Sequence, residues 1–201
     1  MLSKRDIYFC ILTGFITGFS VWRILDFLNA PLLYLPSYGW LMIIIPVIWI
    51  LGVSLGYALG GLASFFRQFG KFAVIGFTNS SVDIGILNLL IFLTGIHAGW
   101  QYVFFKGVSF LCAIVPSYIL NKYWAFSAGN STGGVFEFSK FMSVALTAIF
   151  VNTTVASIVV NYVNPVFGIM PEAWATVGAV TGSATALIFS FLGFKLAVFK
   201  K

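Results

Sequence analysis

Six apolar runs, each long enough to cross a bilayer, dominate the chain, near residues 7–27, 39–63, 72–94, 102–121, 139–162 and 174–197. A spanning helix needs about 20 mostly apolar residues. Six of them therefore use about 120 of the 201 positions and leave connections and ends, too little for a separate soluble domain. Charged residues make up 8% of the sequence and hydrophobic ones 60%, whereas an ordinary soluble domain has roughly 25% charged residues. The expected fold class is therefore an all-α integral membrane protein with six transmembrane helices. The same balance argues against a soluble catalytic domain, nucleic-acid binding and a disulfide scaffold. Cys10 and Cys112 both fall inside apolar runs, His97 is the only histidine, and no Cys/His cluster has metal-ligand spacing. No metal, cofactor or enzymatic activity is expected. Lys4 and Arg5 precede the first run as in a signal peptide, but Arg23 and Asp26 follow without a small-residue cleavage pattern, so the run reads as an uncleaved helix.

The basic residues set the orientation. Lys4 and Arg5, Arg67 and Lys71, Lys122 and Lys140, and Lys195, Lys200 and Lys201 alternate with connections 28–38, 95–101 and 163–173, which contain no Lys or Arg. Both termini are therefore expected in the cytoplasm, as an even number of spans requires. Trp40, Trp100 and Trp174 at outer helix starts and Trp124 at an inner end read as interfacial anchors. Arg23 and Lys106 break the charge pattern. Arg23 reads as self-neutralised by Asp26 three residues on, and Lys106 lies about one turn into the fourth helix from outside.

The last four spans contain a repeat. Phe69-Gly-Lys-Phe72 returns as Phe138-Ser-Lys-Phe141, and Ser117, Lys122 and Phe126 return at one constant offset as Ser190, Lys195 and Phe199. The first offset places Asp83 opposite Asn152. The reading is two helical hairpins of the same orientation, a parallel repeat of the kind whose interface holds substrate in transporters. The first two spans stand outside it. Gly52, Gly56 and Gly60 in the second span, Gly14 and Gly18 in the first, and Gly178 and Gly182 in the sixth allow close helix approach, read as packing within the chain in preference to a dimer seam. Pro46 and Pro116 are expected to kink their helices.

Asp83 carries the most information. Eleven residues past Phe72, it lies roughly 16 Å deep, where a carboxylate costs about 2.5–3.5 kcal/mol and must face protein or water. Two readings stay open: an organiser or proton acceptor in a polar cavity, or a hydrogen bond or ion pair joining the third helix to the fourth, with Lys106 as the nearby cation. Asn79 lies one turn before Asp83 on the same face. Lys106 either snorkels outward or attracts a phosphate in the outer half of the membrane. Arg67, Lys71, Asn121, Lys122, Lys140 and Lys195 are expected to ring the inner face, which ordinary positive-inside topology already explains, although basic pockets between helices also bind lipid phosphates.

From about Phe69 to Lys201 the chain resembles the GtrA-like family of small membrane proteins. The resemblance rests on Lys71-Phe-Ala-Val-Ile-Gly76, Asn79 and Val82-Asp83, on Lys106, on Pro116-Ser-Tyr-Ile-Leu-Asn-Lys-Tyr-Trp-Ala-Phe126 with Tyr118 inside it, and on Phe191-Leu-Gly-Phe-Lys-Leu-Ala-Val-Phe199. It implies a four-helix domain over 66–201, preceded by a two-helix membrane extension over 1–65. It also implies that the protein flips a polyprenyl-phosphate-linked monosaccharide such as undecaprenyl-phosphate glucose across a prokaryotic inner membrane. On that reading Lys71, Asn121, Lys122, Tyr118 and Lys195 hold the phosphate at the inner face, Lys106 receives it nearer the outside, and Asp83, Asn79 and Asn152 line the path for sugar hydroxyls. The partners implied are polyprenyl phosphate or its sugar, membrane lipid and further copies of the chain. The competing reading is a non-transporting subunit that anchors a polyprenyl-phosphate glycosyltransferase through 122–140. A proton-coupled exporter of amphiphilic cations is disfavoured because Lys106 would repel its cargo.

Overall fold

The computed structural model describes residues 2–28, 37–96, 99–130, 133–166 and 171–199, leaving out the side chains of 102, 103, 106, 153, 156, 157, 160 and 171–180. Among the described residues six α-helices follow one another: α1 (Lys4–Phe27), α2 (Leu41–Leu59), α3 (Phe65–Thr94), α4 (Gly99–Leu120), α5 (Gly134–Tyr162) and α6 (Pro171–Gly193). A 3₁₀ turn, Tyr38–Trp40, leads into α2, and five-residue π-helical segments, Asn121–Ala125 and Phe194–Val198, extend α4 and α6. No strand occurs among the described residues, and five helical stretches there have the length and hydropathy to cross a membrane. The protein is an all-α membrane protein, as its apolar runs imply. The helices extend past the runs: α3 begins at Phe65, seven residues before the apolar stretch, because main-chain hydrogen bonding continues through polar positions such as Arg67, Gln68 and Lys71.

The chain forms two compact units, Met1–Ser127 and Ala128–Lys201. This division follows packing and differs from the 1–65 and 66–201 division that the resemblance implies. In the first unit α1 is a central element. Its buried residues are Asp6, Cys10, Thr13, Gly14, Thr17 and Gly18, a polar and small stripe at helical spacing, while Ile7, Tyr8, Ile11, Leu12, Phe15 and Phe19 face outward. That pattern inverts the one of a soluble helix, because lipid is as apolar as leucine and helix association in a bilayer rests on close packing and hydrogen bonds.

The glycines of the stripe let α2 approach. A Cβ on Gly14 would stand 2.5 Å from the Cα of Pro46, and one on Gly18 would collide with the backbone of Leu41 and Met42. Gly56 and Gly60 of α2 serve α3 in the same way, a Cβ on Gly56 meeting the Phe66 carbonyl at 2.8 Å and one on Gly60 meeting the Arg67 side chain. These glycines therefore pack within the chain, whereas a Cβ on Gly52 would meet nothing within 4 Å. Across α1 and α3 the Thr17 hydroxyl donates to that of Thr78 at 2.9 Å, and both residues are buried. In the second unit α5 and α6 form a hairpin, with Phe141 stacked on Phe194 at 4.2 Å between ring centroids and Gly193 set against Val144.

Gly18→Ala is expected to lower stability by about 1–3 kcal/mol, the usual cost of overpacking against backbone, whereas Gly52→Ala leaves it unchanged. Thermal unfolding of the two variants in detergent measures the difference.

Candidate functional site

Four chain segments of the first unit meet at the Asp6 carboxylate, at the end where α1 and α3 begin and α2 and α4 finish. Ser3 and Asp6 form a reciprocal capping box that starts α1, with the Ser3 hydroxyl accepting from the Asp6 amide at 3.1 Å and the Ser3 amide donating to Asp6 Oδ2 at 3.1 Å. The same carboxylate accepts from the Ser3 hydroxyl at 2.8 Å, the Tyr57 hydroxyl of α2 at 2.8 Å and the Trp124 indole N–H at 3.0 Å. Lys71 of α3 completes the set, its ammonium 2.6 Å from Oδ1. Asp6 is 2% exposed, so this charge is balanced by a partly buried cation and neutral donors instead of by water.

The arrangement changes the part that Lys71 can play. Its charge is neutralised within the protein, and its ammonium also lies over the Tyr57 ring, 5.4 Å from the centroid. A phosphate at Lys71 would therefore have to compete with the Asp6 carboxylate. Trp124 is corrected too: only 1% exposed, hydrogen-bonded to Asp6 and stacked on Phe9 at 5.2 Å, it is a buried core residue and not an interfacial anchor. Trp40 and Trp100 are exposed as anchors should be, and the Trp174 side chain lies outside the described residues.

Trp124 belongs to the π segment that closes α4. There Phe126 N–H bonds the Asn121 carbonyl at 2.9 Å, five residues back, and the Asn121 side-chain amide donates to the Ser117 carbonyl at 2.9 Å. Arg5 of α1 donates to the Tyr123 carbonyl at 2.5 Å, supplying a donor at a helix end that lacks backbone partners. Lys122 is 6% exposed, donates to the Tyr118 hydroxyl at 3.4 Å and lies over the Tyr118 and Tyr123 rings. The structure thus brings Tyr118, Asn121 and Lys122 together. Asn121 Oδ1 and Asn79 Oδ1 are buried acceptors without a hydrogen-bond partner. Such atoms cost about 1–3 kcal/mol each unless a ligand or water supplies a donor.

Midway along α3, Asp83 accepts a 2.6 Å hydrogen bond from the hydroxyl of Ser109 on α4, which is wholly buried. Of the two readings left open for Asp83, a hydrogen bond joining the third helix to the fourth is present, through a serine that the sequence reading did not single out. Its only sequence signal is its place three residues after Lys106, one turn along α4. The Lys106 side chain itself lies outside the described residues. Arg23 pairs with Asp26 at 3.0 Å, as their spacing implies.

The second unit reproduces this design. Phe199 N–H bonds the Phe194 carbonyl at 2.8 Å, so Lys195 is the second residue of its π segment just as Lys122 is of the first. Phe141 and Phe199 lie 6.1 Å apart and tilted 53°, and their counterparts Phe72 and Phe126 lie 6.2 Å apart and tilted 55°. Ser117 and Ser190 are both buried. The Asn152 side-chain amide donates to the Ser183 hydroxyl at 3.5 Å, so the residue that matches Asp83 also bonds a serine of the next helix, one position past the place that matches Ser109. Lys195 lies over the Phe191 ring, and Lys140 over that of Phe136, both without a carboxylate partner among the described residues. The sequence repeat is therefore a repeat of conformation.

A family model described as GtrA/DPMS, transmembrane domain, matches residues 71–199. Neither the curated proteins nor the solved structures give a match. The matched range takes in both π segments and excludes Asp6 and Tyr57, two of the groups that surround Lys71 and Trp124.

Asp6→Ala is expected to destabilise the protein by about 3–5 kcal/mol, because it leaves the partly buried Lys71 and the buried Trp124 indole N–H without their acceptor. Lys71→Met in that background should recover part of the loss, with a coupling of about 0.5–3 kcal/mol. Unfolding titrations of both single variants and the double variant measure the cycle, and purely additive losses would contradict the pairing.

Proposed function

The chain belongs to the GtrA/DPMS transmembrane-domain family, and we propose that it moves a polyprenyl-phosphate-linked monosaccharide between the leaflets of the cytoplasmic membrane. Membership makes it a membrane protein of polyprenyl-phosphate sugar processes, with several apolar spans. The observation that carries the finer reading is the repetition, in each hairpin, of a lysine in a π segment at one end and a polar link along the helices. Lys122 and Lys195 are suited to a lipid phosphate, since a lysine is a point charge that can hold a phosphate without fixed bidentate geometry. The Asp83–Ser109 and Asn152–Ser183 pairs supply donors and acceptors that sugar hydroxyls can exchange with, and the unpartnered Asn79 and Asn121 oxygens add acceptors. The polyprenyl tail stays in lipid.

The positive-inside pattern puts both π segments and the Asp6 cluster at the cytoplasmic face. The structure is consistent with that alternation in the first unit, where Asp6 and Lys71 at helix starts meet Tyr57 and Trp124 at helix ends. Rejection of the anchoring reading comes from transport itself. Purified protein in liposomes is expected to exchange a short-chain polyprenyl-phosphate sugar faster than protein-free liposomes do. Asp83→Asn and Asn152→Leu are each expected to slow that exchange by about tenfold, the effect of losing roughly 1.4 kcal/mol. Lipid binding without exchange would overturn the transport reading in favour of a subunit that anchors a polyprenyl-phosphate glycosyltransferase.

A further inference from the structure

The second hairpin leaves exposed a helix face that the first hairpin has covered. At the repeat offset that carries Lys71 to Lys140, the α3 residues Lys71, Val74, Thr78 and Gly85 correspond to Lys140, Ser143, Thr147 and Thr154 of α5. These positions share one face of their helix. On α3 that face belongs to α1. Asp6 neutralises Lys71, the Thr17 hydroxyl donates to that of Thr78, and a Cβ on Gly85 would stand 3.5 Å from Ser20. Val74 and Thr78 are 3% and 5% exposed, whereas all four counterparts on α5 are exposed.

The α5 face is also unlike one that meets only lipid. Helix α1 turns Ile7, Ile11, Phe15 and Phe19 outward, but this face of α5 carries hydroxyls. Those of Ser143 and Thr147 donate to the carbonyls of Ser139 and Ser143, four residues back, at 2.9 and 2.8 Å, and their oxygens keep lone pairs that can accept. Lys140 has no carboxylate partner among the described residues. A lysine at this end would by itself be ordinary topology. With hydroxyls three, seven and fourteen residues on, it repeats the row by which α3 receives α1.

We propose that this face of α5 docks a transmembrane helix of another membrane protein, one that starts at the cytoplasmic side with an acidic residue in its first turn and carries Gly, Ser or Thr along the contact. The matching contact in the first unit sets that chemistry. Helix α1 starts at the same end as α3, brings Asp6 in its first turn and buries Thr13, Gly14, Thr17 and Gly18. Close packing and hydrogen bonds hold helices together in lipid, and Lys140 supplies the charge that an acid at the membrane surface would meet. A second copy of the chain does not fit this role. Its α1 is engaged, with Asp6 buried, and two α5 helices related by an axis along the bilayer normal would set Lys140 against Lys140. Phe150, 72% exposed, stands where α3 has the buried Ser81, so the partner helix must leave room for a ring and is not a duplicate of α1. Docking of this kind is independent of whether the chain moves lipid.

The test is energy transfer, in liposomes, between the labelled full-length protein and synthetic transmembrane peptides. The probe is a leucine-alanine helix of about 20 residues with Asp in its first turn and Gly or Ser along one face. One companion has Lys in place of Asp, and another has Leu in place of the small residues. The Asp peptide is expected to associate about fivefold more tightly than the Lys peptide, the scale of one charge at the membrane surface. Lys140→Glu should reverse that order. Thr147→Leu should weaken association by about threefold, the scale of an interhelical hydrogen bond, and Ile43→Ala on the exposed face of α2 should leave it unchanged. Equal binding of the Leu-faced peptide would overturn the close contact, and an order of peptides that Lys140→Glu leaves unaltered would overturn the charge match. Transfer between two labelled copies of the protein that Thr147→Leu abolishes would overturn the proposal in favour of a seam between copies.

Discussion

The first unit depends on one buried carboxylate. Asp6 starts α1 through its capping box and accepts from α2, α3 and the segment after α4, so a single side chain fixes one end of four helices. An isolated carboxylate in a bilayer would be costly. Here its charge is offset by Lys71 at 2.6 Å and shared among hydroxyl, indole and amide donors. Removal of any one partner leaves the others with unmet electrostatic needs, which is why the cluster acts as a unit. The cluster also ties residues that the family domain includes, Lys71 and Trp124, to residues that it does not, Asp6 and Tyr57.

This separates two kinds of lysine that look alike in a linear sequence. Lys71 and Lys140 open corresponding helices, yet Lys71 is held by a carboxylate and Lys140 is exposed over Phe136. Lys122 and Lys195 occupy the same place in two π segments, and each lies over an aromatic ring from its own hairpin. A π turn changes the hydrogen-bond register and re-aims the side chains around it, and such turns are frequent at functional sites. The two hairpins differ at their polar links as well, where one uses a carboxylate and the other a carboxamide. The π segments also differ, with Asn121 and Trp124 in one matched by Phe194 and Ala197 in the other.

Much of this was legible beforehand because a bilayer makes hydropathy decisive. The spans followed from apolar runs, and the hairpin repeat from Ser117, Lys122 and Phe126 with their counterparts. The role of α1 was hidden because its buried stripe is polar and small. Asp6, Cys10, Thr13, Gly14, Thr17 and Gly18 have clear helical spacing, but a search for apolar periodicity passes over them. Asp6 also lies one residue before the first apolar run and reads as part of a charged tail. Trp124 was misplaced for a similar reason, since an indole at a helix end normally marks the headgroup region, and nothing local reveals an acceptor 118 residues away. The π turns leave no compositional mark, so their recurrence became visible only in the backbone.

We propose that Lys71 is a structural cation, held by Asp6, and that the π-segment lysines meet the lipid phosphate. Binding of a short polyprenyl phosphate to Lys122→Gln, Lys195→Gln and the compensated pair Asp6→Asn with Lys71→Gln decides it most directly. Weaker binding in each π-segment variant and nearly unchanged binding in the compensated pair are expected. Loss of binding in the compensated pair, with full binding in both π-segment variants, would contradict it.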